Sequence, residues 1–124
     1  MTTHTAIKTS AWDERVRALA PIVAQWRDVG EQERHIPRPL FEALCDAGIF
    51  TMSAVKAVGG AEVEEETVLQ VIEEFARQDG SVGWNVMLAS TTAIIASYLP
   101  GAALQEVYRG GPRARPSQCR GASA

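Results

Sequence analysis

The chain has 124 residues, 46% of them hydrophobic, with 12 Lys and Arg against 15 Asp and Glu. All 15 acids precede residue 109, and Arg109, Arg113, Arg115 and Arg120 follow Tyr108, so residues 1–108 net −7 and residues 109–124 net +4. This size excludes a large multidomain machine, the apolar fraction excludes wholesale disorder over residues 10–108, and the acidic balance excludes nucleic acid as the main partner.

Ser10 followed by Asp13 resembles a capping box and predicts a helix from Ala11. Val16, Leu19, Val23 and Trp26 recur at helical spacing, with Ile22 and Val29 widening the face. Pro21 lies inside this helix, where proline favours a kink. The charged run Glu31–Arg34 predicts continuation past Gly30 toward His35. Pro37 and Pro39 suit the first turn of a second helix, whose face is Leu40, Phe41, Leu44 and Cys45. Gly48 reads as its left-handed terminator. Residues 49–55 read as a short, partly extended apolar passage, and Val58-Gly59-Gly60 as a turn.

A third helix is expected from about Glu64, with carboxylates in its first turn and Val68, Leu69, Val71, Ile72 and Phe75 on its core face. Asp79-Gly80 ends it, and Ser81 is expected to cap a fourth helix reaching about Tyr98. That helix is apolar on most sides, which predicts a central, enclosed position. Pro100 opens a short fifth helix carrying Leu104, Val107 and Tyr108. No alternating run suggests a sheet. The expected fold is all-α, a bundle of about five helices.

Residues 109–124 lack every large apolar side chain. The expected organisation is therefore a disordered N-terminus at 1–9, a helical domain at 10–108 and a disordered Arg/Gly/Pro tail at 109–124. Residues 80–105 are uncharged, but Ser, Thr, Asn, Gly and Pro interrupt them, short of the about 20 apolar residues a membrane span needs. Cys45 and Cys119 do not form a disulfide framework, and the N-terminus has no signal-peptide core, so a cytoplasmic setting is expected.

Complete catalytic constellations are missing. His4 and His35 are the only histidines, and no Glu-x-x-His or His-x-x-x-His spacing occurs. Glu64–Glu66 and Glu73–Glu74 read as solvated faces, and Cys45 as a structural thiol on an apolar face. Gly59-Gly60 lacks the Lys and Ser/Thr of a phosphate loop. No catalytic residue and no metal ligand is assigned. The distinctive segment is Asp79-Gly80-Ser81-Val82-Gly83-Trp84-Asn85. One reading makes Trp84 an aromatic wall of an apolar pocket whose sparse polar groups are Asn85, Ser90, Thr91 and Thr92, with Ser81 and Leu88 also lining it. The other is a packed core helix whose hydroxyls bond back to the preceding turn.

Several stretches, in order, carry a wider resemblance. They are Ile36-Pro37-x-x-Leu40-Phe41-x-x-Leu44 with Ala47-Gly48-Ile49-Phe50, then Val58-Gly59-Gly60-Ala61-Glu62. Val71-Ile72-Glu73-Glu74-Phe75-Ala76-Arg77 and Asp79-Gly80-Ser81-x-Gly83-Trp84 follow. Together the chain resembles the N-terminal helical domain of the acyl-CoA dehydrogenase superfamily over about residues 16–108. It is most similar to the branch containing flavin-dependent monooxygenases of aromatic compounds.

The resemblance implies a domain that closes one side of a substrate cavity, with the helix after Asp79-Gly80-Ser81 lining it. It implies FAD or FMN held mostly by a β-domain and a C-terminal helical bundle. The substrate would be a small molecule, an acyl-CoA or an aromatic compound. Monooxygenase members draw reduced flavin from a partner reductase. Two departures stand out: Val55 replaces a common proline, and Ser90-Thr91-Thr92 occupy the region where some hydroxylases carry a histidine. With the β-domain motifs missing, we expect the chain alone to bind no flavin and to be inactive. The Arg-rich switch after Tyr108 suggests a truncated or frameshifted reading frame. The exposed inner face would suit a missing-domain partner or a second copy, and a non-catalytic helical interaction module is the alternative from a different class.

Overall fold

The computed structural model describes residues 11–109. Its helices are α1 (Ala11–Glu33), α2 (Arg38–Asp46), α3 (Glu65–Gln78), α4 (Gly80–Ala96) and α5 (Gly101–Val107), with single 3₁₀ turns at Ile49–Thr51 and Lys56–Val58. No strand occurs among the described residues. The all-α, five-helix expectation is met. The proposed cap Ser10 and residues 110–124 lie outside the described residues.

Helix α1 buries Val16 and Val23 and lays Leu19, Ile22 and Trp26 along the same core. It runs through Pro21, which is exposed, and past Gly30 to Glu33. It stops there because Arg34 turns left-handed at φ 57°. In α2 the buried residues are Leu40, Leu44 and Cys45. Gly48 then takes φ 74°, and its N–H donates to Cys45 O at 3.0 Å. Phe41 and Phe50 stack across this corner with ring centroids 5.4 Å apart.

The passage after Gly48 is not extended. Ile49–Thr51 form a 3₁₀ turn with all three side chains buried. The chain then folds back on itself: Ala61 N donates to Thr51 O, Glu62 N to Ala54 O and Val63 N to Met52 O. Burying so short an apolar run leaves its backbone groups away from water, and these bonds satisfy them. Gly60 makes the fold-back possible, since a Cβ there would lie 2.0 Å from Ala54 O.

Helix α3 buries Val68, Val71 and Phe75, which recur at spacings of three and four. Leu69 does not join them and is 60% exposed. One residue is a rotation of about 100°, which carries it off the stripe. The most extensive helix interface is between α3 and α4. It depends on Gly83, where a Cβ would come within 2.7 Å of Ala76 Cα. Two apolar clusters result. The larger joins α1 through α4 around Phe75, and the smaller joins Ala54, Val58, Ala93, Ala96 and Tyr108.

Two expectations for α4 are corrected. The helix ends at Ala96, and Tyr98 and Leu99 close it with tighter bonds to Ile95 O and Ala96 O. It is also not enclosed: Trp84, Ile94 and Ile95 are exposed, as are Tyr98 and Leu99 just past its end. An all-round apolar sequence signals cover on every side, but here only one side is covered by the described residues.

Candidate functional site

The site begins at Asp79, a single extended residue (φ −160°, ψ 119°) between α3 and α4. Its N–H donates to Phe75 O at 2.8 Å and closes α3, while its carbonyl accepts from Gly83 N at 3.0 Å and opens α4. Its carboxylate Oδ1 accepts from Ser81 N at 2.8 Å, Val82 N at 3.4 Å and Ser81 Oγ at 2.9 Å. The cap is therefore Asp79, not Ser81 as expected. A carboxylate two residues earlier reaches the free N–H groups, and the serine hydroxyl becomes its donor.

Helix α1 holds this joint from outside. Arg27 Nε lies 3.9 Å from Asp79 Oδ2, and the same guanidinium donates to Gln78 O. Gln78 Nε2 donates to Val16 O at 3.4 Å. Sequence reasoning missed Arg27, because a contact spanning more than 50 residues leaves no local periodic signal.

With its start fixed, α4 divides into two faces. Val82, Gly83, Val86, Ala89, Ser90, Ala93 and Ala96 are buried. The opposite side carries Ser81, Trp84, Asn85, Leu88 and Thr91, the five residues expected to line a pocket. Trp84 is 59% exposed, Ser81 and Thr91 are exposed, and Asn85 and Leu88 are half-buried. They share one helix face and form an open wall among the described residues. Ser90 falls on the other side, 4% exposed, with no hydrogen-bond partner for its hydroxyl. Gly83 leaves no room for a planar group, since Ala76 takes that space.

Ser81 and Asn85 also border a cleft of about 550 Å³ between α1 and the joint, lined by Arg27, Arg34, His35, Arg77 and Asp79 among others. Trp84, Leu88 and Thr91 do not line it. The Asn85 amide donates to Ser81 O at 2.8 Å, so it is committed to the helix. No group of three or more metal-ligating side chains occurs among the described residues. Cys45 is buried. No described helix is long and apolar enough to cross a membrane.

Over 82 residues the chain is 29% identical to an indole-3-acetate monooxygenase of Acinetobacter baumannii. It is 28% identical to an indole-3-acetate monooxygenase of Pseudomonas putida over the same length. Each match covers 66% of this chain and 21% of the relative, so the chain corresponds to about a fifth of their length. No solved structure matches it. The family model for the acyl-CoA dehydrogenase N-terminal domain matches residues 2–106, and the chain belongs to that family.

Proposed function

We propose that this domain forms one wall of the substrate cavity of a flavin-dependent oxidoreductase, with Trp84, Leu88 and Thr91 facing the cavity. The observation that carries this reading is the uncharged outer face of α4, where Trp84 is 59% and Ile95 62% exposed. Open apolar surface of this kind marks a face made to be covered. The monooxygenase names of both relatives favour the oxygenating branch over acyl-CoA oxidation. The substrate class is then a small planar aromatic compound.

The outer face suits a wall beside a planar ring and does not suit a complete flavin cradle. Ser81 Oγ is taken by Asp79 and the Asn85 amide by Ser81 O. Trp84 and the Thr91 hydroxyl remain to meet a ligand, and neither supplies the several donors that a flavin phosphate requires. The flavin-holding groups belong to another part of the protein or to a partner chain. Bound flavin would supply electron transfer and, in an oxygenating protein, oxygen activation.

This chain's own residues orient and exclude. The Trp84 ring offers a flat surface for offset stacking. Leu88 and Ile95 keep water from the covered face. Asp79 and Arg27 fix where α4 starts and so where Trp84 points. No proton transfer is assigned to the chain.

The test is purification of the tagged protein from its own host under native conditions. Flavin colour should co-purify, in a longer polypeptide or with a second one, and Trp84→Ala should weaken turnover of an indole-like substrate more than of a small aliphatic thioester. A colourless lone chain would overturn the reading. Preference for the thioester would move the assignment to the dehydrogenase branch.

A further inference from the structure

We draw no further inference here: the strongest candidate, the cleft of about 550 Å³ between α1 and the α3–α4 joint, carries none, because Arg27, Arg77 and His35 on its walls already face Asp79, Glu73, Glu74 and Glu33, and Arg34 has Glu31 three residues away, so no surplus of charge among the described residues selects a ligand.

Discussion

Asp79 closes one helix and opens the next with no connecting loop. A side-chain cap of this kind is worth about 1 kcal/mol, and the partly exposed Arg27 pair adds little to it. Asp79→Ala should therefore lower unfolding free energy by about 1–2 kcal/mol in urea titration, whereas Asp79→Asn should retain most of it. Tyr108 is the opposite case. It is 4% exposed, its hydroxyl is buried without a partner, and burial raises its pKa above 10.0. A raised folded-state pKa means that the native chain holds this proton more tightly than the unfolded chain does. That stability is present in full below the unfolded pKa and is lost as pH rises through the folded value. Tyr108→Phe should add about 1 kcal/mol at neutral pH by removing the unpaired hydroxyl. It should also flatten the loss of stability above about pH 10, measured by chemical denaturation across that range.

At the scale of elements, α4 depends on how closely it approaches α3. Gly83→Ala places a methyl group 2.7 Å from Ala76 Cα, on backbone that cannot swing aside. Overpacking of that kind costs about 1–3 kcal/mol. Gly80→Ala, with nothing within 4 Å, serves as the contrast and should change the thermal midpoint little. The loop before α3 has an opposite tolerance. Val55 sits at φ −68°, the angle that a proline ring enforces, with an extended ψ of 151°, and the resemblance places a proline there. Val55→Pro should raise stability by about 0.5 kcal/mol, read as a small upward shift in thermal midpoint. Helices α1 to α3 were legible because each carries one apolar stripe and a recognisable stop. Residues 49–55 were misread because a short apolar run has no period, and its 3₁₀ path follows from bonds to residues 61–63. Leu69 misled because apolar identity was read without its angle. The five candidate lining residues fall on one face of α4, yet nothing in its sequence announces which side the core takes, since both sides are uncharged.

For the whole molecule, the acidic balance of residues 1–108 and the uncharged stretch within them were plain in the sequence. Their arrangement was not, because it depends on Arg27 and Gln78 tying α1 to a joint about 50 residues away. The two apolar clusters also divide the molecule unequally. Helix α5 buries none of its own residues and rests on the smaller cluster through Leu104, Val107 and the adjoining Tyr108. Its carbonyls and amides are therefore guarded by one aromatic anchor, while those of α3 are guarded by the larger core. Amide hydrogen exchange should separate the two. Protons of residues 104–108 should be replaced through local opening at a rate indifferent to mild denaturant, and those around Val71 and Phe75 only through global unfolding. The far end of the domain would then come loose many times for each time the chain unfolds, and a neighbouring domain that gripped α5 would slow that fraying without altering the core.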